Sequence, residues 1–446
     1  MFKEISKNMN KNKITRRKFL GLSSMAAAGV LTGCAANPVT GQRQLMLVNE
    51  DTEIQIDKKN SPMQFSSDYG TIQDNALNSY INRTGLNIAG LTHRPHMPYS
   101  FRAVNATYIN AYAFPGGSIA ITRGILLKIE NEAELAALIG HELGHVNARH
   151  TAESMSKGVL TRAVVGGIAA YVGSANQGYG NIASQVGMLG AGALLASYSR
   201  ENEREADRLG LDYMVKAGYS PDGFVGLMDI LQSLHKSKPS AIELMFATHP
   251  MSDERYNTAV ENVRTNYHST KSSSLYRERY MDNTAKLRSL KGTIEEMQKG
   301  EKEMGSKKYD KAESHFQTAL KKAPNDYAGL VMMSICQFVQ EKYPKAKQYV
   351  NKAQKVYPSE AQAQYIGGVI NLRLKDFDSA FEDFRNYDRL LPGNPKIIFF
   401  KGFSLDGMGN QKQAAEEYYK YLQITTEGDE AKHAYSRLVK WGYLKR

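Results

Sequence analysis

Apolar positions return at helical spacing along residues 132–150 (EAELAALIGHELGHVNARH), through Leu135, Leu138 and Ile139, which predicts a helix. A second helical pattern runs from residue 198 (YSRENEREADRLG) into Leu211, Tyr213 and Met214. From Ser118 to Thr122 apolar and polar residues alternate instead, so this segment reads as a strand with one buried face. Pro115-Gly116-Gly117 punctuates its start. Residues 158–196 are rich in glycine and alanine, and their apolar runs are broken by SANQGYG at 174–180. They read as two small-residue helices with a connector, and a shallow dip into a membrane is one expectation for them. Further on the pattern repeats. Ala312, Ala346, Ala380 and Ala414 stand 34 residues apart, as do Pro324, Pro358 and Pro392. Gly300, Ser334, Gly368 and Gly402 share another phase, and Tyr309, Tyr343 and Phe377 a further one. A fixed period of this length describes small repeated units, each unable to bury its own apolar face, stacked into an array.

Composition places these elements. At about 100–200 residues per domain, 446 residues make two or three domains. With 42% hydrophobic and 23% charged residues, a core can be buried and global disorder is excluded. Two cysteines exclude a disulfide-stapled scaffold and a four-cysteine zinc module. Cys336 falls at a packed helical position and reads as a buried thiol.

The net charge of +12 is unevenly spread. Residues 1–18 carry +6, and an uncharged stretch follows at 19–33 (FLGLSSMAAAGVLTG). At about 15 residues it is shorter than the ~20 that a spanning helix needs. A basic segment, a short apolar segment and small residues before a cut site describe an export signal over 1–33. Thr15-Arg16-Arg17-Lys18-Phe19-Leu20 resembles a twin-arginine signal. Leu31-Thr32-Gly33-Cys34 resembles a bacterial lipobox, which implies lipidation of Cys34 as the first mature residue. With Ala35 next, the expected place is the outer membrane, facing the periplasm. Residues 34–294 then carry only +1 and residues 295–446 carry +5. That points to acidic protein surfaces or anionic lipid as partners, and away from nucleic acid.

The first predicted helix carries chemistry. His141-Glu142-Leu143-Gly144-His145 places two imidazoles at i and i+4, on one face, where both reach one ion. Glu142 lies about 100° around the helix, beside the ion, where it can take a proton from the attacking water. His150 is expected to point away, about 180° around from His141. A catalytic zinc needs a third protein ligand and an open position. A glycine and a histidine further along this segment would supply one in the metzincin manner, but Ala148 and Thr151 hold those positions. On the second helix Glu203 and Asp207 share a face, while Glu201 and Glu205 point elsewhere. Glu203 is thus the expected third ligand of one Zn2+ per chain. Asp207 is expected to accept the outer N–H of a ligand histidine.

HELGH followed some sixty residues later by Glu203-x-x-Ala206-Asp207 resembles the zinc metallopeptidases typified by the CAAX prenyl protease and the HtpX heat-shock protease. Residues 110–126 (NAYAFPGGSIAITRGIL) resemble the segment that precedes the zinc helix there. The resemblance implies that the strand Ser118, Ile119, Ala120 and Ile121 pairs with an extended substrate. It also implies that His249, in Thr248-His249-Pro250, closes the site or stabilises the oxyanion. Arg255 would hold that loop or the transition state. The 34-residue period resembles the tetratricopeptide repeat, whose concave surface takes peptide segments or partner proteins.

The expected fold is mainly α. A zincin-like helical metallopeptidase domain with a small sheet (66–265) follows the signal and an N-terminal segment (34–65). A linker (266–293) then leads to an α-solenoid (294–446), with a capping helix around Tyr435, Leu438, Trp441 and Leu444. This combination resembles quality-control proteases of the bacterial envelope. It implies a zinc endopeptidase acting on misfolded or stalled outer-membrane proteins, with the array docking the assembly machinery. The alternative is a tethered, non-proteolytic chaperone or assembly factor.

Overall fold

The computed structural model describes residues 34–156, 198–237, 240–267 and 273–445. The export signal, the whole glycine- and alanine-rich stretch and most of the serine-rich join at 269–274 lie outside them. The chain divides into two compact units, Cys34–Gln340 and Glu341 onward.

In the first unit a hairpin of β1 (Cys34–Ala36) and β2 (Arg43–Leu45) leads into helix α1 (Glu50–Ser67). Asn49 caps α1 by accepting from Thr52 N, and Glu50, Asp51 and Glu53 complement the helix dipole. Helix α2 (Asn75–Ala89) follows, then β3 (Ser100–Val104), β4 (Ala111–Ala113) and β5 (Ser118–Thr122). The sheet order is β3-β5-β4. β5 runs parallel to β3, in register from Ser100↔Ser118 to Val104↔Thr122, and antiparallel to β4, with Ala113 opposite Ile119. Ile119, Ala120, Ile121 and Thr122 are all buried, so this strand has two covered faces where its alternation predicts one.

After a short helix α3 (Arg123–Leu126) comes α4 (Glu132–Asn147), buried along its whole length. Asn131 caps it, accepting from Glu134 N at 2.9 Å. The helix ends at Ala148, and Arg149 turns left-handed at φ 61°. Helix α5 (Arg200–Lys216) starts from a capping box of Ser199 and Asn202. It packs closely on α4. A Cβ on Gly144 would lie 2.8 Å from Ala206 O, and one on Gly140 would lie 2.6 Å from Gly210 O. Only glycine lets the two backbones approach this far.

Helices α6 (Asp222–Ser237), α7 (Glu243–Thr248) and α8 (Asp253–Asn266) complete the surroundings of the site. The join at 266–293 contains α9 (Arg277–Ser289), which is fastened to the α3–α4 region. Tyr280 Oη donates to Leu126 O at 2.7 Å, and Arg279 pairs with Glu132. Three repeat helices, α10 (Lys291–Gly305), α11 (Tyr309–Lys322) and α12 (Tyr327–Val339), belong to the same unit. Arg123 donates to Asp326 at 2.7 Å, and Gln298 Nε2 donates to Thr107 O at 2.6 Å.

The second unit continues the repeats with α13 (Tyr343–Val356), α14 (Ala361–Arg373), α15 (Phe377–Leu390), α16 (Pro395–Gly407), α17 (Gln411–Ile424) and α18 (Asp429–Lys440). Ala312, Ala346, Ala380 and Ala414 are fully buried. The glycine phase meets an aromatic ring sixteen residues later: Gly300 lies under Phe316, Gly368 under Phe384 and Gly402 under Tyr418. A further phase lies in the turns. Lys307, Glu341, Lys375 and Gly409 all have positive φ, between 58° and 80°, at the same 34-residue spacing. Leu438 is buried on α18, and Trp441 stacks on Tyr418 with ring centroids 6.2 Å apart. Cys336 is a buried thiol on α12. No helix among the described residues is long and apolar enough to cross a membrane.

Candidate metal centre

The close α4–α5 packing sets the geometry. It carries His141 and His145 on one helix to Glu203 on the other, and all three are buried. His141 Nε2 lies 3.1 Å from His145 Nε2 and 3.6 Å from Glu203 Oε2. His145 Nε2 lies 3.3 Å from Glu203 Oε1. His249, at the end of α7, adds a fourth donor. Its Nδ1 is 3.0 Å from Glu203 Oε1 and 3.3 Å from His141 Nε2. Ligands about 2.0–2.1 Å from a tetrahedral zinc are about 3.3 Å from each other. The four side chains therefore form a buried group whose spacings fit one zinc ion, and two imidazole Nε2 atoms with a carboxylate are donors that zinc favours.

The outer atoms explain which nitrogens would face a bound ion. His141 Nδ1 is 2.9 Å from Asp207 Oδ1, so a proton on Nδ1 leaves the Nε2 lone pair inward. Arg255 donates from Nε and Nη2 to Asp207, pairs through Nη1 with Glu203 and reaches Pro250 O at 3.3 Å. Of the two roles expected for Arg255, these are the contacts of a clamp on the His249 loop and the ligands. Its guanidinium lines the same cavity as His141 and His249.

Charge follows from these neighbours. Burial opposes ionisation of Glu203, but His249 and Arg255 hold its carboxyl well below the usual range. Burial likewise opposes Asp207, and Arg255 more than offsets it. Glu142 has no arginine at contact distance among the described residues. Burial pushes its carboxyl up, His249 Nε2 stands 3.8 Å from its Oε1, and its Oε2 has no hydrogen-bond partner among the described residues. A raised, partly unsatisfied carboxyl beside the donors suits a group that gains and loses a proton.

Two expectations change. β5 lies in the middle of the sheet, bonded on both sides, so Ser118, Ile119, Ala120 and Ile121 have no free edge for a substrate backbone. The terminal strand on that side is β4. His150 does not point away, because α4 ends before it and Arg149 turns the chain back. His150 is buried with Nδ1 2.9 Å from His145 Nδ1. Glu205, expected to point elsewhere, accepts from its other nitrogen at 3.1 Å. Tyr198 was not anticipated either. Its ring stacks on His145 at 3.8 Å between centroids, and its hydroxyl bonds Thr151 at 3.0 Å.

An H-E-x-x-H helix completed by a glutamate from a later helix defines a zinc metallopeptidase site. Residues 75–263 match Peptidase family M48, and residues 303–366 match a tetratricopeptide repeat. The metalloprotease LoiP of Escherichia coli (strain K12) is 30% identical over 256 residues, which cover 52% of this chain and 92% of that protein. The metalloprotease YcaL of the same organism is 32% identical over 201 residues, covering 45% of this chain and 72% of that protein. The chain belongs to peptidase family M48, a zinc-dependent metallopeptidase family, and adds tetratricopeptide repeats to it. It is also 32% identical over 195 residues to the beta-barrel assembly-enhancing protease of Yersinia pestis, covering 42% of this chain but only 39% of that protein's length.

Proposed function

We propose that the protein is a zinc metalloendopeptidase of the bacterial envelope, anchored through lipid on Cys34, that degrades unfolded or stalled envelope proteins. The observation that carries the reading is the buried His141–His145–Glu203 donor set with Glu142 beside it. Bound zinc would polarise a scissile carbonyl and acidify water at this site. Glu142 takes the water's proton and delivers it to the leaving amine. Asp207 and Arg255 keep the donors oriented. A substrate backbone adds to the sheet at the β4 end, Ala111–Ala113, because β5 is already paired on both sides.

The envelope placement is supported by the basic, apolar and lipobox-like order of residues 1–34. The name of the Yersinia pestis relative, an assembly-enhancing protease, supports outer-membrane proteins or their assembly machinery as substrate and partner. In this reading the repeat array, which carries most of the mature chain's surplus positive charge, docks that partner.

The test is Glu142→Gln with casein as an unfolded substrate, alongside zinc analysis. The variant is expected to keep its zinc and lose about 10²–10⁴-fold in rate. Equal inactivity of both proteins with metal bound overturns the enzyme reading.

One observation favours the second reading, a tethered chaperone or assembly factor. His249 Nδ1 stands 3.0 Å from Glu203 and 3.3 Å from His141, where it would take the position that a catalytic zinc keeps open. Glu142→Gln decides between the two readings, and His249→Ala tests what this fourth donor does. If His249 gates a protease, casein cleavage rises several-fold. If it serves the oxyanion, cleavage falls. No change removes His249 from the mechanism.

A further inference from the structure

The two histidines of the zinc helix are supported differently. Behind His141 stands a carboxylate, Asp207, itself held by Arg255. Among the described residues no carboxylate makes direct contact behind His145. Its Nδ1 instead faces His150 Nδ1 at 2.9 Å, and His150 Nε2 faces Glu205 Oε2 at 3.1 Å. His150 is 1% exposed and Glu205 lies at the rim of the site, with a side chain 23% exposed.

Only one proton arrangement satisfies this chain of contacts with His145 Nε2 turned to an ion. His145 then carries its proton on Nδ1 and donates it to His150 Nδ1. His150 must offer a lone pair there, so its proton sits on Nε2 and is donated to Glu205. Glu205 thereby fixes the tautomer of His150, which fixes the tautomer of His145. The backbone is bent to allow it. Arg149 adopts φ 61°, and its side chain is tied to Glu53 at 3.1 Å and to Val48 O at 2.7 Å. A residue in this conformation strains an ordinary side chain, and two anchors hold it in place. Tyr198 closes the other face of His145 by stacking.

We infer that His150 and Glu205 are positioning residues for the zinc ligand His145, a two-residue relay doing for that ligand what Asp207 does for His141. The inference rests on the zinc-site reading and assigns its second support. Glu205 stands two residues after the ligand Glu203 and His150 five residues after His145. The relay therefore links both ligand helices from outside the donor set.

The test is zinc affinity of the full chain, measured by competition with a chelator of known affinity, with the visible spectrum of the Co2+-substituted protein as a second readout. His150→Ala and Glu205→Ala are each expected to weaken zinc binding about 10–100-fold and to shift the cobalt bands. Glu205→Gln keeps an acceptor for His150 and is expected to recover most of the loss. Glu205 is at the rim, so its variants decide the matter even if His150→Ala folds poorly. Wild-type affinity and spectrum in Glu205→Ala overturn the relay while leaving the zinc site intact. Failure of the wild-type chain to bind zinc overturns both.

Discussion

The metal site and the repeat array use the same device for opposite ends. In both, a glycine lets a neighbouring helix come close. In the array Gly300, Gly368 and Gly402 each accommodate a ring of the following helix. In the site Gly140 and Gly144 accommodate backbone, Gly210 and Ala206. A ring is the end of a side chain and yields by rotation or by shifting a helix end. A backbone cannot yield without moving every residue on its helix, and Glu203 lies one turn from Ala206. The array thus spends its glycines on packing, and the site spends them on placing a ligand.

Substituting one glycine in each region puts this difference to work. Gly144→Ala would set a Cβ 2.8 Å from Ala206 O and push α5 outward. The expected result is a loss of zinc affinity of at least about tenfold and a drop in stability of about 1–3 kcal/mol. Gly368→Ala would set a Cβ 2.6 Å from Phe384. It is expected to cost about 1–2 kcal/mol in the second unit and to leave zinc affinity unchanged. Chelator competition and thermal melts on both variants check this. Equal effects on zinc would mean that glycines in the two regions do the same job.

The same contrast governs what could be read from the chain. The array repeats its contacts every 34 residues, so alanine, proline and glycine phases announce helices, turns and crossings several times over. Its left-handed turn phase is not legible because three of its four positions, Lys307, Glu341 and Lys375, hold residues that do not advertise positive φ. The site is written once. His141, Glu142, His145, Glu203 and Asp207 were legible because helical spacing alone puts them on the faces they occupy. His150 and Glu205 were not. Helical-wheel reasoning carries the helix through Arg149, and the chain breaks there. The central place of β5 was also hidden, since alternation reports which faces are buried and not which edges are bonded.

A smaller effect tests whether the first repeat helices are part of the metal-site unit in energy as well as in contact. Glu301 on α10 accepts from Thr107 Oγ1. Burial pushes its carboxyl up to about 7, with the Asp68 charge adding to the rise. Asp68, itself at about 6 through burial, is bonded by Tyr108 at 3.0 Å and by Tyr112. A carboxyl whose folded value is raised holds its proton longer in the native state than in the unfolded chain. Stability is therefore lost as pH rises from the ordinary carboxyl range through about 7. Glu301→Gln keeps an acceptor for Thr107 and removes that slope. At pH 8 the variant is expected to be more stable, by a few degrees in Tm, with the gain shrinking toward pH 5. The gain should appear in the transition that releases zinc, because α10 lies within the unit that holds the donors. A gain confined to a separate repeat transition would show that α10 melts with the array instead.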